Sequence, residues 1–195
     1  YNMHNSPFRS IAQLIYYFIS IAVIPLVIAL DLITKSIAEN HLIPGFTVIN
    51  GIFDLRYSEN TGGALSILSG KITFFIIVTA VSLVLFTYFF IKLRNDMFLG
   101  HFSLALIIGG AIGNFFDRIT LHYVRDFIDF RPMGFANFNV ADMALTIGCV
   151  LLIIYLLFFS KEFSILKNNS DTDKNNPDKK NRNMSETYEE EKFED

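Results

Sequence analysis

Four long apolar runs decide what this chain can fold into. They cover residues 11–30, 72–91, 99–116 and 143–159. The first is broken only by Gln13, Ser20 and Pro25, and the second carries no charge at all. The third holds His101 near its start and Asn114 near its end. A helix needs ~17–25 such residues to cross a ~30 Å hydrocarbon core. Backbone groups in lipid must be satisfied within the protein, so spanning segments are helices or closed barrels. These runs are continuously apolar rather than alternating, which excludes barrel strands. The sequence therefore predicts an all-α membrane protein with four transmembrane helices. The first run exceeds a signal-peptide core and no small-residue cleavage site follows it, so it reads as a retained helix, bent at Pro25.

Charge supports this division. The 195-residue chain is 52% apolar and only 18% charged, and its net charge is −3. Residues 167–195 hold six Lys/Arg against nine Asp/Glu, while residues 1–166 hold ten of each. The body, 1–166, is one apolar, neutral domain. The tail, 167–195, has too little apolar content to fold and reads as disordered. No basic stripe points to nucleic acid. The one cysteine, Cys149, lies in an apolar run and is expected to be a small buried hydrophobe. The opening Tyr1-Asn2-Met3 makes Met3 a candidate start.

Four crossings put both termini on one side and segments 31–71 and 117–142 on the other. Lys/Arg counts barely set the orientation. The terminal side has Arg9, Lys92, Arg94, Lys161 and Lys167; the other has Lys35, Arg56, Lys71, Arg118, Arg125 and Arg131. On that other side, Phe46-Thr-Val-Ile49 and Ile52-Phe-Asp-Leu-Arg-Tyr57 flank Asn50-Gly51. This is a hairpin signal, and it predicts a small β-sheet on the membrane surface.

The polar residues of the body gather at the helix ends facing that sheet. Asp31 and Lys35 close the first helix; Asn114, Asp117 and Arg118 close the third; Asp126 and Asp129 follow; Asn139 and Asp142 open the fourth. Asp142 directly precedes the last apolar run, where a carboxylate meets the positive end of the helix dipole, and its plainest role is an N-cap. Asp126 in the preceding connector adds a second acid. Two adjacent carboxylates resist double ionisation and share a proton. The ionised member can take a proton from water and the protonated one can donate to a carbonyl, the division that peptide hydrolysis needs. Simpler readings stand beside this one. Asp31 and Lys35 fit an i,i+4 ion pair, and Asp117-Arg118 fits a local charge pair. Gly109-Gly110-Ala111-Ile112-Gly113 fits close helix packing, and Asn60-Thr61-Gly62-Gly63 fits a turn. His101 lies near the opposite face with no assigned role, and Asp54 and Asp129 are expected to face water.

Taken in order, these pieces resemble the bacterial lipoprotein signal peptidases (signal peptidase II). Asp31-Leu-Ile-Thr-Lys35 resembles that family's first-helix ending. Asn60-Thr-Gly-Gly-Ala64-Leu65 is similar to its Asn-Thr-Gly-Ala-Ala-Phe segment, with Gly63 and Leu65 in place of the common Ala and Phe. Gly109-Gly-Ala-Ile-Gly-Asn114-Phe-Phe-Asp117-Arg118, Val124-Arg-Asp126-Phe-Ile128 and Phe138-Asn139-Val-Ala141-Asp142 are similar to three further segments. The resemblance spans about residues 11–160. It implies a catalytic pair, Asp126 and Asp142, supported by Asp31, Lys35, Asn60, Gly110, Asn114, Arg118, Asn139 and Ala141, with no metal and no cofactor. It implies diacylglyceryl-modified prolipoproteins as substrates, cut just before the lipidated cysteine, and membrane lipid and globomycin-type cyclic peptides as further partners. It also implies the bacterial inner membrane, a periplasmic-facing site and cytoplasmic termini. A small proton-coupled transporter is the alternative, since helix-end acids can relay protons. It requires acids within the bundle, and runs 72–91 and 143–159 contain none. A membrane scaffold would need no such gathering of Asp and Asn.

Overall fold

The computed structural model describes residues 11–62, 71–93, 97–130 and 137–159. Gly63, Ala64, Leu65, Arg94, Arg131, the opening Tyr1–Met3 and the 167–195 tail lie outside the described residues. Contacts group residues 1–153 into one unit and 154–195 into a second, in which the described part is the end of the last helix and Phe159. The elements run α1 (Ile11–His41), β1 (Phe46–Ile49), β2 (Phe53–Asn60), α2 (Ile72–Lys92), α3 (Phe98–Thr120), β3 (Val124–Phe130) and α4 (Val140–Phe158). All four helices are long and apolar enough to cross a membrane.

α1 continues for eleven residues past the apolar run, to His41. At 1.5 Å per residue, its 31 residues extend about 46 Å, more than a hydrocarbon core. Its buried positions Val27, Asp31, Lys35 and Ala38 follow a helical stripe that changes from apolar to charged and back. α3 is the central helix, buried over most of its spanning window, whereas α2 is half-buried or exposed along nearly all of its length. Outward side chains of α1, α2 and α4 such as Phe18, Ile77, Val84 and Ile147 are large and apolar. Such a surface suits lipid rather than water. Cys149 is exposed on α4, not buried. On a spanning helix, an apolar position can face lipid as readily as the protein core.

Glycine lets the helices meet. A Cβ on Gly109 would lie 2.9 Å from Val27 Cβ of α1, and one on Gly110 would lie 2.5 Å from the Ala141 carbonyl oxygen of α4. At the far end of the bundle, Phe90, Leu104, Ala105 and Ile108 form a core packed by Tyr17 and Val23. His101 is buried there between the edges of Tyr17 and Phe90, with ring centroids 5.7 and 5.8 Å away.

The sheet has three antiparallel strands in the order β1-β2-β3, rather than the hairpin alone. The turn Asn50-Gly51-Ile52 joins β1 to β2 with Gly51 at φ +73°. β3 comes from the connector between α3 and α4. It pairs Ser58 with Asp126 and Asn60 with Val124. An extra residue in β2 between Leu55 and Ser58 shifts the register, and the displaced Tyr57 N–H donates to Leu42 O at 3.2 Å. Phe138 then bridges to Ile128 of β3 through two backbone hydrogen bonds, 2.9 and 3.0 Å, immediately before α4 begins. Asp54, expected to face water, is 1% exposed, and Asp129, its cross-strand neighbour, is half-buried. The third strand covers β2, which the two-strand expectation left open.

Candidate active site

Asn139 is the hinge of the site. It caps α4: its Oδ1 accepts the Asp142 N–H at 2.9 Å, and its own N–H donates to Asp142 Oδ2 at 3.3 Å. That reciprocal pair is a capping box. Asp142 is therefore the third helical residue, not the cap placed before the helix by the sequence reading. The Asn139 Nδ2 donates to Asp126 Oδ1 at 2.7 Å. One buried asparagine thus touches both acids, one through its side chain and the other through its main chain.

Each carboxylate has a further donor on its second oxygen. Asn60 Nδ2, at the end of β2, donates to Asp126 Oδ2 at 2.8 Å. Asn60 Oδ1 accepts the Gly62 N–H at 3.0 Å, which fixes its orientation and shows that the Asn60–Gly62 turn also serves the acid. Asn114 Nδ2 of α3 donates to Asp142 Oδ1 at 2.7 Å. A pocket lined by Ser58, Glu59, Asn60, Thr61, Gly62, Asp126 and Asn137 opens beside Asp126. Burial and then the nearby Asp142 charge push the Asp126 carboxyl up to about 7, against the pull of the Asn60 and Asn139 hydrogen bonds.

Beneath the pair lies a buried ionic network. Lys35 and Asp31 are wholly buried and 2.7 Å apart, so the i,i+4 pair exists. Lys35 Nζ also reaches Asn114 Oδ1 at 2.9 Å and Asp117 Oδ2 at 3.3 Å. Its ammonium therefore lies within 3.3 Å of three oxygens. Asp31 Oδ1 accepts the Ala141 N–H of α4 at 2.9 Å. This satisfies a helix-start donor that nothing in α4 itself can. A Cβ on Gly113 would lie 2.5 Å from Asp31 Oδ2, so only glycine leaves room for that carboxylate. Gly110 and Ala141 give α3 and α4 their close approach.

Asp117 does not pair with Arg118. It takes Lys35 and a two-pronged contact from Arg125, whose Nη2 is 2.8 Å from Oδ1 and Nε 3.3 Å from Oδ2. Adjacent residues on a helix diverge, so a neighbour in sequence is poorly placed to pair. Arg118 lies with its guanidinium 5.2 Å from the Phe75 ring centroid, and its charge acts through space on Asp142 and Asp126. The sequence reading missed Asp117, Glu39 and Arg125 as members of the network. Lys/Arg residues beside helix ends were the available signal. Among the described residues, no cluster of three or more His, Cys, Asp or Glu is arranged to hold a metal.

The chain is similar to known proteins over most of its length. The family model for signal peptidase (SPase) II matches residues 23–158. The chain is 42% identical over 142 residues to the lipoprotein signal peptidase of Caldanaerobacter subterraneus subsp. tengcongensis, covering 72% of this chain and 96% of that one. It is 42% identical over 147 residues to the Staphylococcus aureus lipoprotein signal peptidase, covering 72% and 90%. A bacterial membrane enzyme solved in meso at 2.3 Å superposes with a TM-score of 0.66 at 39% identity, covering 71% of this chain and 87% of the other. A second, solved at 1.9 Å, gives a TM-score of 0.65 with 72% and 94% covered. The helix-end acids, the asparagines that hold them and the four spanning helices thus occur in a chain that belongs to the signal peptidase II family, the lipoprotein signal peptidases.

Proposed function

We propose that the chain is an aspartic endopeptidase of the membrane in which Asp126 and Asp142 activate one water molecule. The observation that carries this reading is the shared asparagine. Asn139 bonds Asp126 at 2.7 Å and Asp142 at 3.3 Å, so the two carboxyls come from different elements to one place. Asp126, pushed up to about 7 by burial and by the Asp142 charge, keeps its proton. Asp142 is ionised and takes a proton from water as the water oxygen bonds to the scissile carbonyl carbon. Asp126 donates its proton to the carbonyl oxygen, giving a neutral tetrahedral diol. Asp142 then returns its proton to the amide nitrogen, the C–N bond breaks, and a diol hydroxyl gives its proton back to Asp126. The products are a carboxylic acid and an amine, and both aspartates end as they began.

The site's depth supports a lipid-held substrate. The acids lie at helix ends, where an acylated polypeptide presents a bond near the membrane surface. We assign diacylglyceryl-modified prolipoproteins as substrates, cut before the lipidated cysteine, and globomycin-type peptides as inhibitors of the same groove. The supporting residues hold the acids in this reading: Asn60 and Asn139 hold Asp126; Asn114 holds Asp142; Asp31, Lys35, Gly110 and Ala141 seat the start of α4. Arg118 supplies positive charge to the pair. Asp126→Asn and Asp142→Asn each lower cleavage of a diacylglyceryl-modified substrate by about 100- to 10,000-fold in detergent, with the helical content of the wild type. Wild-type cleavage by both folded variants rules the reading out.

A further inference from the structure

We infer that Arg125 is a positioning residue that fixes where β3 holds Asp126 against the start of α4. This rests on the aspartic reading of the pair and extends it to a side chain that touches neither acid. Arg125 directly precedes Asp126, and its side chain is 12% exposed. It is held by five hydrogen bonds. Its guanidinium grips both oxygens of Asp117 on α3, at 2.8 and 3.3 Å. Its Nη1 reaches Glu39 Oε2 on α1 at 3.0 Å. Its main-chain N–H donates to Asp117 Oδ2 at 3.1 Å, and its carbonyl oxygen lies 3.3 Å from Asn139 Nδ2.

Two independent observations make this more than a surface ion pair. First, Asp117 is wholly buried and also pairs with Lys35, which reaches Asn114, the residue that holds Asp142. The carboxylate that anchors the Asp126 strand therefore belongs to the network that anchors the Asp142 helix. Second, Asn139 Nδ2 faces the Arg125 carbonyl and Asp126 Oδ1 together. The main chain at 125 is thus registered to the α4 cap on one side and to α3 on the other. Burial works against the Arg125 charge, but the Asp117 and Glu39 carboxylates outweigh it and push its pKa up. A planar two-pronged grip is specific to arginine, because lysine offers a single point charge.

The test uses the full-length protein in detergent with a diacylglyceryl-modified substrate, measuring kcat and KM separately. Arg125→Met lowers kcat about tenfold and changes KM less than twofold, because misplacement by a fraction of an ångström penalises the chemical step. Arg125→Lys falls between the two. In a cycle with Asp117→Asn, the double variant loses no more than the worse single variant. Hydrogen exchange supplies a readout independent of activity: amides 124–127 exchange about tenfold faster in Arg125→Met, while α2 amides do not change. Wild-type kcat in Arg125→Met, additive losses in the cycle, or unchanged exchange in β3 each overturn the inference. Asp126→Asn is run alongside. If it cleaves as the wild type does, the peptidase reading fails, and the exchange result alone judges the role of Arg125.

Discussion

At the scale of single residues, the site is a problem of where protons sit. Asp126 is 1% exposed and its carboxyl is pushed up to about 7, first by burial and then by the Asp142 charge. An ordinary aspartate ionises near 4. The folded state therefore favours the neutral carboxyl. The stability gained from that preference is complete below about pH 4 and is lost as pH rises through about 7. Activity follows the same group with its own sign. The reaction needs one ionised and one protonated member, so kcat/KM falls on the alkaline side with an apparent pKa of about 7. Asn60 donates to the charged form of Asp126 and so holds that value down. Asn60→Ala removes the donor and is expected to move the alkaline limb upward while lowering the maximal rate. A pH–rate profile of both proteins checks this, and a limb that stays in place or moves down contradicts it.

At the scale of elements, the start of α4 is held by groups from three other segments: Asp31 of α1 bonds Ala141, Asn114 of α3 bonds Asp142, and Phe138 pairs with β3. Gly110 sets how near α3 may come. A Cβ there would lie 2.5 Å from Ala141 O and 3.0 Å from Leu145 Cγ, with helix backbone as the obstacle. Gly110→Ala must push α4 away from α3. Overpacking of this kind costs about 1–3 kcal/mol, but displacement of Asp142 penalises catalysis more, by about 100-fold per ångström. The variant is expected to lose more than tenfold in kcat while its melting temperature falls by only a few degrees; a thermal melt beside a cleavage assay separates the two. The spanning helices and the Asn50-Gly51 hairpin were legible in the sequence, because each rests on a local pattern of apolar or turn residues; Asp126 and Asp142 were singled out by their place near helix ends and by the family resemblance. β3 was not legible. Its Val124-Arg-Asp-Phe-Ile-Asp-Phe130 stretch places Arg125 and Asp126 inside the protein, where polarity normally signals a loop. The extension of α1 was hidden for the same reason. Its inner stripe is helical in period, but Asp31 and Lys35 occupy two of the buried positions. Burial of paired charges is a tertiary fact, and no window along the chain reveals which partners will meet.

At the scale of the whole molecule, the same pairing bears on orientation. Lys and Arg near the ends of spanning helices favour the cytoplasm. Six Lys/Arg lie on the sheet side of the membrane against five on the terminal side. Three of the six are engaged within the protein: Lys35 with Asp31 and Asp117, Arg125 with Asp117 and Glu39, and Arg118 against Phe75 beside the acids. The proposed exported substrate calls for cytoplasmic termini and an outward-facing sheet and acid pair. Cysteine labelling in intact cells tests this. The one native thiol, Cys149, is removed as Cys149→Ser, and single cysteines are placed as Asn50→Cys in the hairpin turn or Met97→Cys between α2 and α3. A membrane-impermeant maleimide is expected to label position 50 in whole cells and position 97 only after the cells are opened. The opposite pattern would turn the acids toward the cytoplasm. A peptidase acting on exported lipoproteins could not work from there, so the labelling also bears on the proposed substrate.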